Sequence, residues 1–310
     1  MTMALLVLIN ASIFSVDGIG EDLGIFRTPF VEIDQRTNIE FALRPEFNIL
    51  NESGSFRSIF WTNPFNFNLT APLTKRLTMG IGNLERFDQS FDIYFDENDL
   101  KMHLVGKGGI EEFYANLNTN FRIGEIALRG SYLLGNAQEI WNYDISNYVL
   151  TDTFLYKYHG KILCGGLRLN IISISYEGFS NIIMEKANSD TTIDLPERLS
   201  IGLSPYFGNS KINLMFERSF WQKGNNYISP NRFKIGFIKD RFALNYRYNP
   251  WYLDYVKEHG LDFSLLMPIK NLGSATLSLH CSLRSKGSLR EFNIIPEFKF
   301  ALREIFSRRR

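Results

Sequence analysis

The stretch SATLSLHCSLR, Ser274 to Arg284, alternates without interruption. Successive side chains of an extended chain point to opposite faces. Ser274, Thr276, Ser278, His280, Ser282 and Arg284 therefore share one side, and Ala275, Leu277, Leu279, Cys281 and Leu283 the other. In a soluble sheet such an apolar face covers a core, whereas in a membrane barrel it meets lipid and the polar face lines a lumen. The rest of the chain decides between these two solvents.

The same period of two recurs from residue 37 almost to the end. Ile39, Phe41 and Leu43 alternate with Asn38, Glu40, Ala42 and Arg44; Phe65, Phe67 and Leu69 with Asn66, Asn68 and Thr70; Phe113, Ala115 and Leu117 with Tyr114, Asn116 and Asn118. These read as strands, about 14 to 16 in all. Gly106–Gly109 (GKGG) reads as a tight hairpin, and Trp251–Gly260 as the one helical turn. From Phe113 onward the connections alternate in length. Residues 122–125, 160–166, 208–211, 239–240 and 268–273 are short; residues 135–153, 178–196, 219–231 and 249–259 are long. Segregation of tight turns to one rim and long loops to the other is the habit of up-and-down membrane barrels.

Size supports the same choice of solvent. The lumen of so wide a barrel cannot be filled by side chains, so the apolar faces must turn outward. In water they would form a band far beyond the few hundred Å² that a monomer exposes. We therefore expect an all-β fold: a transmembrane up-and-down antiparallel β-barrel of about 14–16 strands. Trp61, Trp141, Tyr143, Tyr148, Trp221, Tyr227, Trp251 and Tyr252 are expected in girdles at the membrane interfaces.

Composition is consistent with this. The 310 residues are 45% hydrophobic and 15% aromatic, and the formal charge of +1 suggests no nucleic-acid partner. Residues 1–18 carry an apolar run, Ala4–Val16, read as a signal peptide; residues 19–36 form a short periplasmic segment or partial plug, 37–306 the barrel, and 307–310 a basic tail. Cys164 and Cys281 lack paired spacing, and His103, His159 and His259 lack ligand spacing, so no metal or cofactor is expected.

Lumen-lining candidates are Glu217, Lys234, Arg241, Arg247, Asp262, His280 and Arg284, together with Lys211, Arg232, Arg290, Glu297 and Lys299. Their mixed signs suggest ion pairs that brace the wall, or a weak charge filter. His280 and Ser282 share a face, but a nucleophile also needs an orienting group behind its base, and the sequence supplies none. No enzyme is expected; a barrel hydrolase is the least favoured reading.

In overall design the chain resembles Gram-negative outer-membrane β-barrels, most of all the FadL-type and PorV-like families. The final strand FNIIPEFKFALREIF, with Phe292, Ile294, Phe298, Phe300, Leu302 and Phe306 on one face, is similar to the C-terminal strand read by barrel assembly machinery. The resemblance implies a bacterial outer-membrane location, with lipid and the assembly machinery as partners. It also implies porin-like passive uptake or binding of small or hydrophobic molecules, through a polar lumen gated by loops at 135–153, 178–196 and 249–259. The alternative it offers is a non-transporting anchor in a surface or secretion assembly. FadL-type proteins carry an N-terminal hatch, against which Asp17–Arg36 supplies a partial plug. The His-x-Ser pair also resembles that of outer-membrane phospholipase A. There the pair faces lipid, whereas His280 and Ser282 lie on the polar face and no Ser-Asn-Gly follows them.

Overall fold

A computed structural model describes residues 15, 19–31, 37–52, 55–62, 66–97, 100–145, 148–186, 189–221, 227–253, 256–269 and 272–303. The expected signal peptide, save Ser15, and the stretch after residue 303, with Glu304, Phe306 and the basic tail, lie outside these residues. So does the Trp61 side chain.

β1 (Glu21–Asp22) is a short strand that lies against the inside of the wall rather than in its ring. β2 (Asn38–Leu43) and β3 (Pro45–Glu52) together make the first wall strand, and β4 (Ser55–Thr62) and β5 (Asn66–Pro72) the second. β6 (Leu77–Asp88) and β7 (Phe91–Glu97) make the third, broken at Gln89 and Ser90. β8 (Leu100–Phe121), β9 (Gly124–Ile145) and β10 (Tyr148–Leu169) each run unbroken for 22 residues. β11 (Ile172–Lys186) follows, then an eighth wall strand assembled from β12 (Ser189–Asp194), β13 (Glu197–Leu203) and β14 (Tyr206–Phe207). The wall is completed by β15 (Ser210–Phe220), β16 (Asn231–Lys239), β17 (Phe242–Pro250), β18 (Lys257–Ile269), β19 (Gly273–Lys286) and β20 (Leu289–Arg303). β20 pairs back onto β2 and β3, with Phe300 opposite Phe41 and Asn293 opposite Asn48. The result is a closed 14-strand antiparallel up-and-down barrel.

Strand number falls at the low end of the expected range because two glycine-rich stretches lie inside strands. Gly106–Gly109 is not a hairpin but part of β8, and Gly160–Gly166 is not a turn but part of β10. Glycine removes the side chain on which a period-two reading depends, so each stretch looks like a break. The turn after β10 is Asn170 and Ile171, where Asn170 takes a left-handed φ of 50°; Asp240 does the same at 53° before β17. Asn and Asp tolerate this region better than other residues that bear a Cβ. Tight turns thus gather on one rim, here called the turn rim.

The opposite rim carries paired arms rather than loose loops. Residues 135–145 and 148–153 continue the β9–β10 ladder, and 181–186 of β11 pair with 189–194 of β12. Among the described residues of 251–260 no helix forms: Trp251, Tyr252 and Leu253 are buried ahead of β18, which begins at Lys257. Outside, Phe113, Leu117, Leu128, Leu163, Phe216, Phe237, Phe263, Leu279 and Phe298 are exposed on one continuous apolar belt. β19 keeps the alternation of its sequence, with Leu277, Leu279 and Leu283 exposed and Ser278, Ser282 and Arg284 buried.

Candidate functional site

The lumen is occupied by the chain's own N-terminal segment, Ile19 to Val31, which descends from the arm rim toward the turn rim. At its upper end the Ile19 amide donates to Tyr252 Oη at 3.0 Å, and the Tyr252 hydroxyl donates to the Gly20 carbonyl at 2.8 Å. β1 then pairs with the top of β6, Glu21 opposite Asp88 and Asp22 opposite Phe87. Lower down, the Phe26 amide donates to Glu217 Oε2 at 2.7 Å, and Arg129 Nη2 donates to the Thr28 carbonyl at 2.9 Å. The Phe30 ring lies under the Arg168 guanidinium, 4.3 Å from ring centroid to Cζ, and against Gly166, where any Cβ would crowd it. Phe26 is held at a left-handed φ of 56°. For an aromatic residue such a conformation costs about 1–3 kcal/mol and persists only where its surroundings impose it.

Buried ion pairs fasten the segment to three strands of the wall. Asp22 meets Arg198 of β13 and, at 4.0 Å, Arg232 of β16. Glu21 meets Arg284 of β19. Burial alone would lift the Asp22 carboxyl, but Arg198, Arg86 and Arg232 outweigh it and hold the group below its ordinary range. Around it Arg232 binds Glu217 at 2.9 Å, and Arg86 bridges Glu177 and Glu112. Arg284 spans Glu258 at 3.3 Å and Glu291 at 2.7 Å. Charges this deeply desolvated are tolerated because each meets a counter-charge.

The candidates named from sequence separate into groups. Glu217 and Arg284 belong to the network that grips the segment. Arg247, Asp262 and His280 form a second chain on the wall: Arg247 to Asp262 at 2.7 Å, Asp262 to His280 Nδ1 at 3.0 Å, then His280 Nε2 toward Glu297 at 3.7 Å and Glu297 to Arg44 at 3.2 Å. Lys234 is half-buried opposite Arg247. Lys299 pairs with Glu40 at 2.7 Å. Two assignments fail. Arg241 sits exposed in the turn after Asp240, beyond the end of the wall, and Arg290 is exposed because it has the parity of Phe292 and Ile294 rather than that of Glu291 and Asn293. His280 is oriented by Asp262 but makes no hydrogen bond to Ser282.

Asp22, Arg86, Glu177, Arg198 and Glu258 were missed. The signal for Arg198 was present: it shares a face with Ser200 and Gly202, opposite Leu199, Ile201 and Leu203. Nothing in the sequence indicated that Asp22, far from any strand pattern, would meet it.

The lumen is layered. Toward the turn rim most of its buried residues are polar, among them Thr70, Thr78, Asn116, Asn118, Ser200 and Ser278, with the small Ala127 and Ala301 between them. The ion pairs lie above them. Toward the arm rim the wall turns apolar, with Ile110, Leu133, Tyr158, Ile162 and Ile182 packed with Ile19 and Phe87 in one cluster. Trp221, Trp251 and Tyr252 belong to it as well, with the Trp221 and Tyr252 rings 4.8 Å apart and Tyr227 4.9 Å from Tyr252. These aromatics cap the interior; they do not form the external girdle their positions near strand ends suggested. A uniformly polar lumen is likewise not what the wall presents.

No family model matches the sequence, and no curated protein does. Solved structures do match in fold. The toluene transporter TodX of Pseudomonas putida aligns at a TM-score of 0.57 and 9% identity, over 89% of this chain and 92% of its own. A FadL homologue from Pseudomonas aeruginosa aligns at 0.55 and 8%, over 94% and 96%. The CymD monoaromatic hydrocarbon channel aligns at 0.52 and 8%, over 93% and 95%. The molecule is a FadL-like β-barrel in fold.

Proposed function

We propose that the protein is an outer-membrane conduit for passive uptake of small hydrophobic molecules, with Ile19–Val31 as its internal gate. One observation carries this reading: an apolar cluster lines the arm end of the lumen and packs on a segment of the chain itself, which ion pairs fasten to the wall below it. On this reading an apolar molecule enters by displacing side chains of this cluster, and meets Ile19 and Phe87 before the ion pairs. Displacing the segment from Arg198 and Arg284 then opens the polar lower bore toward the turn rim, the periplasmic side on this reading. The external belt suits lipid as the surrounding solvent. The named activities of TodX and CymD, which share the fold, favour an apolar cargo.

The test is transport by the full-length protein reconstituted in vesicles. A small apolar aromatic probe should cross faster than in protein-free vesicles, and a sugar of similar size should not. Equal passage of both, or no acceleration of the aromatic, would overturn the proposal.

A further inference from the structure

Arg290 stands on the outer face of the wall, so any partner it has lies outside the barrel. The ladders of β18, β19 and β20 set it in a row: Lys257 is opposite Ser285, and Ser285 is opposite Arg290. Two strand spacings, about 10 Å, separate the two cationic positions. Parity turns all three residues outward, since Glu258, Arg284 and Glu291 beside them are buried. Lys257 and Arg290 are exposed, and neither meets a carboxylate among the described residues. The arginines inside the same wall differ, for Arg232, Arg247 and Arg284 are each ion-paired. Among the described residues of β17 to β20, no acidic side chain has the outward parity.

The row also has a definite depth. One side-chain row nearer the turn rim lie His259, Leu283 and Phe292, and beyond them Leu261, Cys281 and Ile294. These begin the apolar belt, which on β19 continues from Leu283 to Ala275. That run is about 27 Å along the strand, or about 20 Å of height at the usual tilt, most of an apolar band about 25 Å tall. Lys257, Ser285 and Arg290 therefore sit at its arm-side edge, where lipid head groups begin. Neighbouring aromatics mark the same level. Tyr246 Oη lies 2.8 Å from His259 Nδ1, and the Tyr248 ring is 5.0 Å from that of His259 and 5.3 Å from that of Phe233. Tyr gathers at this boundary because its ring is apolar and its hydroxyl needs a polar partner.

We infer that Lys257, Ser285 and Arg290 form a binding site for a phosphate-bearing membrane lipid on the outer face of the barrel. The phosphate lies over Ser285, between the ammonium and the guanidinium, and the acyl chains run along Leu283, Phe292 and Leu261. Three features fit this occupant. Its anionic oxygens supply the counter-charge that the outer face lacks. Ser285 is small enough to leave the space between the cations open, and its hydroxyl can donate to the phosphate. The chains meet apolar rows that begin directly beside the cations. A free phosphate ion uses the charges but not the belt. The site needs only that the belt lies in lipid, and it is independent of the gate.

The experiment is native mass spectrometry of the full-length protein released from detergent, titrated with phosphatidylglycerol and, separately, with diacylglycerol of the same chains. Phosphatidylglycerol should be retained and diacylglycerol should not. Lys257→Ala and Arg290→Ala should each weaken retention about five-fold, and the double variant about 25-fold. Ser285→Glu keeps both cations and sets a carboxylate between them, so it should weaken retention as well. Lys157→Ala combined with Lys161→Ala removes the same charge from the outer face of β10 and should leave retention unchanged. Heat-modifiable migration checks that each variant is folded. Inorganic phosphate at constant ionic strength should not displace the lipid. Equal retention of the two lipids, an equal loss on removing the β10 lysines, or displacement by inorganic phosphate would overturn the inference.

Discussion

The guanidinium of Arg198, on the barrel wall, binds the carboxylate of Asp22, on the segment that threads the lumen, and both side chains are almost wholly buried. The two residues are 176 positions apart in sequence, so the contact is purely tertiary. Removing one partner of a buried pair strands the other charge in a poor solvent, at about 3–5 kcal/mol. Asp22→Ala is therefore expected to undock the segment while the wall stays folded. Planar-bilayer recordings should show larger and more frequent ion steps than wild type, and trypsin should reach Arg27. An unchanged conductance with Arg27 still protected would show that the pair does not hold the gate.

Acidity should act through the same carboxyl. The folded value for Asp22 is depressed by the surrounding Arg residues, so its contribution to docking is fully present above the ordinary Asp value of about 4 and is lost as pH falls through the depressed folded value. Between neutral pH and about 5 the segment should stay in place on account of this group. Below that range wild type should approach the behaviour of Asp22→Asn, which lacks the contribution at every pH. Conductance of the two proteins measured against pH should converge at the acid end; a constant difference down to the lowest pH tolerated would contradict the assignment.

Tyr252→Phe deletes one oxygen that serves two backbone groups, the Ile19 amide and the Gly20 carbonyl. Each buried group left unpaired costs about 1–3 kcal/mol. The upper end of the segment should fray, which hydrogen exchange reads as faster exchange at Ile19 and Gly20. Amides of Phe26 and Thr28, held by other partners or lower in the bore, should be far less affected.

Two glycines separate wall stability from gate stability. Gly108 has a φ of 118°, and a Cβ there would collide with the Asn136 carbonyl, so Gly108→Ala should strain the β8–β9 ladder by about 1–3 kcal/mol. The heat-modifiable transition should move to lower temperature. Gly166→Ala instead crowds Phe30 and Pro29 of the segment. It should raise conductance with little change in that transition; the reverse pattern would refute the division.

Much of the barrel was legible because its main signal is local. In β19 the alternation from Ser274 to Arg284 places His280 on the polar wall and Leu277, Leu279 and Leu283 on the belt, as the structure does. Reading failed where that signal is locally erased, at the glycines of β8 and β10, and where parity was not followed, as at Arg290 beside Glu291. The candidate site was legible only by half. Wall positions such as Glu217, Asp262 and Arg284 follow from strand parity. Asp22 and Glu21 lie in a stretch with no period, and their role comes from where the chain is led after it leaves the wall. Aromatics near strand ends misled for a related reason: Trp221, Trp251 and Tyr252 leave the ladder and turn inward over the bore, a direction that spacing does not encode.

The pairing of β20 with β2 and β3 bears on the order of assembly. The wall becomes a ring only when its last strand meets its first, the most distant strand pairing among the described residues and the slowest kind to form. Until then the sheet is an open curl with two unsatisfied edges. Ile19–Val31 touches strands spread around the whole circumference, from β6 through β13 to β19. Laid against the open curl, it is within reach of those strands before the ring shuts; after closure its remaining way in lies through a rim. On this geometry the occupant is wrapped by the wall rather than threaded into it, and Glu21 and Asp22 help to draw the two ends of the sheet together.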